Sequence, residues 1–237
     1  MNLSIVLPAY EERENLAIFI PQIESEFKDV SFEIIVVDDS SQDGTRELLQ
    51  ELNQKYQNIV FVERPGLFGI GSALRDGYNK SRGEYILSSD ADLSFNIKDM
   101  RSLYEKIQTG FDLVLGYYTT YQSIEAEKRV GGCVTVTISR ISNIVMRVLG
   151  GVGNLKNYNT NFRIIRSSAW KSIQTVENQN FFLFETIFRA KQNGARVAEI
   201  PVIFSSRKFG ESKLNFFQQA PKYFFKLIRF RLFGHSS

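Results

Sequence analysis

Short apolar runs that end in polar residues recur through the first half of the chain. Leu3–Leu7 (LSIVL) is closed by Pro8, Glu33–Val37 (EIIVV) by Asp38-Asp39, and Glu84–Ser88 (EYILS) by Asp90-Ala91-Asp92. Ile59–Glu63 and Asp112–Gly116 (DLVLG) are two further runs. Continuous apolar runs of this length are the pattern of strands covered on both faces. Between them, Leu16, Phe19, Ile20, Ile23 and Phe27 fall at helical spacing, Leu48, Leu49 and Leu52 mark a second helix, and Gly69–Lys80 reads as a third. Ser41-Gln42-Asp43-Gly44-Thr45 supplies turn residues and, in Asp43, a helix cap. Strand and helix alternating at this pace predict an α/β fold with a Rossmann-like, doubly wound, mostly parallel sheet. Ligands of such sheets sit beyond the carboxyl ends of the strands, where Pro8-Ala9-Tyr10, Asp38-Asp39 and Asp90-Ala91-Asp92 would meet in one crevice.

The βα rhythm stops after Tyr117. Val134, Ile138, Ile141, Val145 and Val148 then form one helical face, with Arg140 and Arg147 on another. Phe181–Gln192 reads as a helix and Arg196–Phe204 as a strand. In Pro221–Phe233, Lys222, Lys226 and Arg229 make a basic stripe among aromatic residues. Such a helix either lies in a lipid headgroup layer or closes the core with its charges in water.

The chain of 237 residues suits one domain, and 43% hydrophobic with 23% charged residues is an ordinary globular composition. Net charge is only +3, but from Ser205 onward seven Lys/Arg face the single acid Glu211, so the body before them is mildly acidic. A basic tail on an acidic body fits phosphates or an anionic surface and not general nucleic-acid binding. The single cysteine, Cys133, excludes an intramolecular disulfide and a thiolate zinc site. The start of the chain has no basic n-region, and no apolar stretch reaches the roughly 18–20 residues needed to cross a bilayer. The expected location is therefore cytoplasmic, either free or peripheral on the cytoplasmic face of a membrane.

Among groups able to do chemistry, Asp90-Ala91-Asp92 offers two hard carboxylate ligands to Mg²⁺ or Mn²⁺, with a diphosphate completing the shell. A solvated acidic turn is the plainer reading. Asp38-Asp39 places two repelling carboxylates at a strand end, one able to accept hydrogen bonds from a base or ribose while the other braces the loop. Tyr10 is placed to cover a nucleobase and Glu12 to bond its edge, although acids also suit a first helical turn. In Arg207-Lys208-Phe209-Gly210-Glu211-Ser212-Lys213, Arg207 and Lys213 are candidate phosphate clamps, against a solvated basic loop. Gly66, Gly69 and Gly71 match neither a Walker loop nor a dinucleotide fingerprint and read as a flexible lead into a helix. No G-x-S-x-G elbow occurs, and His235 at the very end leaves no histidine for base or zinc chemistry.

Taken together and in order, P-A-Y-E-E-R-E-N-L, I-V-V-D-D-S-S-Q-D-G-T, S-D-A-D-L-S and R-K-F-G-E-S-K-L make the chain resemble family 2 glycosyltransferases. The nearest subgroup is the dolichol- and polyprenyl-phosphate sugar transferases. The resemblance runs from Leu3 to about Leu214. It implies a GT-A catalytic domain over residues 1–214, followed by C-terminal amphipathic helices over residues 215–237. It implies inverting transfer of a hexose from a GDP- or UDP-sugar to a lipid phosphate, with a membrane surface and a partner membrane protein as further expected contacts. By that match Pro8, Tyr10, Glu12, Val37, Asp39, Asp90 and Ala91 bind the nucleotide, and Asp90, Asp92 and Ser94 hold the metal. Asp92, Arg207 and Lys213 carry the transfer. A phosphate acceptor is already ionised near neutral pH, so it needs no strong general base. Two departures are visible: Tyr117-Tyr118 follows Gly116 where the family has Arg, and Asn157 stands where it has Asp. They leave the sugar and the acceptor open, so a soluble glycosyltransferase acting on a glycan or other hydroxyl acceptor and a non-catalytic nucleotide-sugar binding module remain alternatives.

Overall fold

The computed structural model describes residues 1–118, 146, 151–205, 226, 227 and 230. Cys133, most of the expected Val134–Val148 helix, Arg207 and Lys213 with their loop, the 214/215 boundary and most of Pro221–Phe233 lie outside them.

The described strands are β1 (Leu3–Ala9), β2 (Phe32–Asp38), β3 (Ile59–Glu63), β4 (Tyr85–Ser88), β5 (Leu113–Tyr118), β6 (Arg163–Arg166) and β7 (Val197–Val202). The helices are α1 (Arg13–Glu26), α2 (Thr45–Tyr56), α3 (Ile70–Lys80), α4 (Ile97–Gln108), α5 (Ser167–Lys171) and α6 (Phe181–Gln192). The strands form one sheet in the order β3-β2-β1-β4-β6-β5-β7. Its first four strands run parallel, as does β5 with β7, whereas β6 runs antiparallel to both β4 and β5. The sheet is thus mixed, and the reversed strand, like the helices α4 and α5, is an element that the apolar pattern did not announce.

Alternation of side chains explains why both faces are covered. Leu3, Ile5 and Leu7 of β1 and Ile34 and Val36 of β2 face α1 and α4, against Leu16, Phe19, Ile20 and Leu103. Val6, Ile35 and Val37 face the opposite layer, against Leu74 and Tyr78 of α3 and Phe182 of α6. The α3 helix lies very close to the strands, because a Cβ at Gly77 would come within 2.4 Å of Val6 Cγ1.

Pro8 does not end β1. It pairs in register with Val37, and Ala9 with Asp38. The physical reason is directional: Val6 O accepts from Ser89 N on the β4 side at 3.3 Å, and Pro8, two residues on, faces the same way. The β1–β4 ladder has ended at Val6↔Ser88, so the missing proline N–H breaks no pair there.

Leu227 and Phe230 are buried in the α6 layer, where the Phe230 ring meets Phe181 and Phe188 at centroid distances of 5.6 and 4.9 Å. Lys226 Nζ donates to Glu177. At these positions the C-terminal segment closes the core.

Candidate active site at the strand ends

The loops that follow β1, β2 and β4 open into one cleft of about 510 Å³, lined by Pro8, Tyr10, Glu12, Asp39, Asp90, Ala91 and Asp92. Its far side carries Asn159, Thr160 and Asn161 ahead of β6 and Gln179 and Asn180 at the start of α6. Seven of the sequence candidates therefore share a single crevice. Val37 does not line it, since its side chain is fully buried against α3. Arg207 and Lys213 lie outside the described residues, but the chain before them passes behind Asp92, where Ser205 N donates to Ser94 O at 2.8 Å.

Each of the three loops contains one non-glycine residue in the left-handed region: Glu11 (φ 56), Ser40 (φ 62) and Leu93 (φ 61). Such a conformation costs on the order of 1 kcal/mol for a residue with a Cβ, so each loop is held by its surroundings. Ser41 supplies much of that hold. Its N–H and hydroxyl donate to Asp38, and its hydroxyl accepts from Glu11 N at 2.7 Å. Asp43 ties the same two loops, accepting from Arg13 N at 2.9 Å and from Thr45 N at 3.1 Å.

The adjacent carboxylates of β2 are thereby divided. Asp38 points into its own loop, while Asp39 faces the cleft and accepts from Arg64 Nη1 at 2.7 Å. Burial pushes the Asp39 carboxyl up to about 6; the Arg64 charge opposes this and the Asp38 charge adds to it. Arg64 is 5% exposed and also reaches Asp76 at 3.3 Å and the Ser72 hydroxyl. It was absent from the sequence candidates, although it sits one residue past β3 and so at a strand end like the others.

At the end of β4, Asp92 Oδ1 accepts from Ser94 N at 3.0 Å and Asp90 Oδ1 from Asn161 Nδ2 at 3.0 Å. Ser94 does not line the cleft, yet its hydroxyl is buried with no hydrogen-bond partner. Among the described residues no three His, Cys, Asp or Glu side chains gather, so the chain offers two carboxylates and an orphaned hydroxyl. Hard oxygen donors in that number fit a divalent cation whose other positions go to phosphate oxygens.

Gly69 and Gly71, at the start of α3, are not a flexible lead. Gly69 has φ +97, and a Cβ there would fall 2.4 Å from Asn178 O, while one at Gly71 would fall 2.5 Å from Phe182 Cβ. Only glycine allows the 178–182 wall to approach α3 this closely. Each of the two departures from the family pattern has a charged neighbour. Lys156 Nζ donates to the Tyr117 hydroxyl at 2.8 Å and sits 3.9 Å from the ring centroid, and Glu199 accepts from the N–H groups of Lys156 and Asn157. A cation and a carboxylate thus stand beside the positions that lack them.

With known proteins, the chain shares 28% identity over 218 residues with the dolichol-phosphate mannosyltransferase of Pyrococcus furiosus, 90% of this chain and 59% of that one. It shares 30% over 224 residues with the polyprenol monophosphomannose synthase of Mycolicibacterium smegmatis, 89% of this chain and 80% of the other. This chain thus spans less than two thirds of the first relative's length. Glucosyl-3-phosphoglycerate synthase from Mycobacterium tuberculosis, solved with Mn²⁺, uridine diphosphate and phosphoglyceric acid, superposes with a TM-score of 0.73 at 17% identity, over 100% of this chain and 80% of that one. The mixed sheet with its helices on both faces is accordingly a GT-A fold. With the sequence profile of glycosyl transferase family 2 matching residues 4–174, the chain belongs to that family of transferases.

Proposed function

We propose that the protein transfers a hexose from a GDP- or UDP-sugar to a polyprenyl-type lipid phosphate, with inversion at the anomeric carbon. The observation that carries this reading is the meeting of Tyr10, Glu12, Asp39, Asp90 and Asp92 in one cleft, from three strand ends. In it, Tyr10 covers the base, Asp39 and Glu12 accept from base or ribose, and Pro8 and Ala91 shape the nucleotide floor, with Val37 acting from beneath. Asp90 and Asp92, with Ser94 behind them, hold Mg²⁺ or Mn²⁺. A cation held there would supply the positive charge that the departing diphosphate needs. Arg207 and Lys213 grip donor or acceptor phosphate, and support for this comes from Ser205 leaving beside Ser94. An acceptor phosphate oxygen attacks the anomeric carbon as the sugar–diphosphate bond breaks, and the nucleoside diphosphate leaves. The names of the two mannosyl-transferring relatives favour a lipid phosphate.

A water-soluble phosphorylated acceptor is the second reading, favoured by the phosphoglyceric acid bound in the structural neighbour. One assay separates the two: Mn²⁺ with labelled GDP- and UDP-sugars, with and without polyprenyl phosphate, followed by partition into organic solvent. Label is expected in the organic phase only when the lipid is present. Asp92→Ala is expected to reduce transfer at least about a hundredfold while the melting temperature holds. Full turnover in that variant under chelation refutes the metal-bound donor.

A further inference from the structure

The wall of the cleft opposite the acidic loops is made largely of uncharged amides, and one of them is left half satisfied. Asn161 is 6% exposed and lines the cleft. Its Nδ2 donates to Asp90 Oδ1 at 3.0 Å, which fixes the orientation of the carboxamide. The Oδ1 atom on the other side is fully buried from water and has no hydrogen-bond partner. Buried carbonyl oxygens of side chains are almost always paired, and one without a partner in the wall of a ligand cleft is a candidate to be met by a donor from the ligand.

The backbone around Asn161 keeps it there. Asn157 Oδ1 accepts from Asn159 N at 3.0 Å, and Thr160 Oγ1 from Phe162 N at 3.0 Å. The fully buried Arg163 links this turn to α6, donating to Thr160 O at 2.8 Å and to Leu183 O at 2.8 Å. The Phe162 ring stacks on Phe95, with centroids 4.2 Å apart and planes at 8°. The carboxamide is thus presented by a rigid turn, with its nitrogen committed to Asp90 and its oxygen committed to nothing in the protein.

What donates to it is set by its neighbours. As an acceptor the amide oxygen gains nothing from an ionised phosphate oxygen, and a divalent cation is better met by the charged oxygens of Asp90 and Asp92 than by a neutral amide. A neutral hydroxyl satisfies the oxygen. We infer that Asn161 accepts a hydrogen bond from a hydroxyl of the donor hexose, so that it both positions Asp90 and selects the sugar. This rests on the donor cleft proposed above and names the residue that reads the sugar within it.

The two roles separate in binding measurements. Titrations in Mn²⁺ would compare UDP with UDP-glucose and GDP with GDP-mannose, for wild type and for Asn161→Ala. Loosening Asp90 weakens diphosphate and nucleotide sugar alike, whereas loss of the sugar contact weakens only the nucleotide sugar. The preference of the wild type for nucleotide sugar over free diphosphate is expected to shrink about fivefold to tenfold in Asn161→Ala, the usual range for one hydrogen bond. An unchanged preference overturns the inference. Mono-deoxy hexose donors give a reading that needs no stable variant: one of them should bind the wild type about fivefold to tenfold more weakly than its parent. If every deoxy donor binds wild type like its parent, the inference fails. Wild type that binds neither diphosphate refutes the donor cleft itself, a result distinct from diphosphate binding without sugar preference.

Discussion

Carboxylates that look alike in sequence behave in opposite ways according to the rim of the sheet they occupy. Glu33, at the start of β2, is fully buried and accepts from Ser4 Oγ at 2.7 Å and from Arg82 at 2.7 and 2.9 Å. Burial alone would raise its carboxyl, but bonds from Arg82 and Ser4 hold it below the ordinary value of 4.5. Its contribution to stability is present above that value and is lost as pH falls through the lowered one. Asp39, at the end of the same strand, runs the other way. Between 3.8 and about 6 the folded chain keeps a proton on Asp39 that the unfolded chain has released. Its contribution therefore falls as pH rises through that window and is flat above it. Urea midpoints should show wild type losing stability relative to Asp39→Asn from about pH 4 to about pH 6. A constant difference between the two proteins rejects this account. Stability set aside at Asp39 and at the left-handed Glu11, Ser40 and Leu93 marks the rim built for a ligand.

At the level of elements, the apolar runs announced β1 to β4 because those strands are covered on both faces and bounded by polar turns. The helix Phe181–Gln192 was legible from end to end because its apolar face is long. The β6 strand was not: Arg-Ile-Ile-Arg is too short to show a period, and its place between β4 and β5 depends on pairing with residues far along the chain. Arg64 escaped because it follows a strand whose end carries no motif, and its bond to Asp39 appears only once β2 and β3 are paired. The Lys156–Tyr117 contact escaped because nothing local links the two positions. Gly69 and Gly71 were read as flexible, yet they mark close approach, as does Gly77 within α3. Gly77→Ala is expected to cost about 1–3 kcal/mol, from overpacking against Val6 and Val37. Chemical denaturation measures this, and nucleotide affinity should persist, because Gly77 lies away from the cleft lining.

For the whole molecule, no helix among the described residues is long and apolar enough to cross a membrane. The lipid phosphate acceptor proposed above would be met at a membrane surface, and Lys222, Lys226 and Arg229 are the cations proposed to meet it. Replacing all three by Gln is expected to weaken binding to anionic vesicles at least about tenfold, at roughly 1 kcal/mol per cation near such a surface. Unchanged binding in a co-sedimentation assay would assign the segment wholly to the core, as the burial of Leu227 and Phe230 already does for those two residues. The reversed direction of β6 has a consequence for how the enzyme can diversify. The β5 strand leaves the sheet at the cleft, and β6 enters at that same rim because it runs the opposite way. The connection from β5 to β6 therefore begins and ends at one rim, so a change in its length or sequence leaves the pairing of β1 to β4 as it is, while Asn161 at its far end still ties it to Asp90 and the donor cleft.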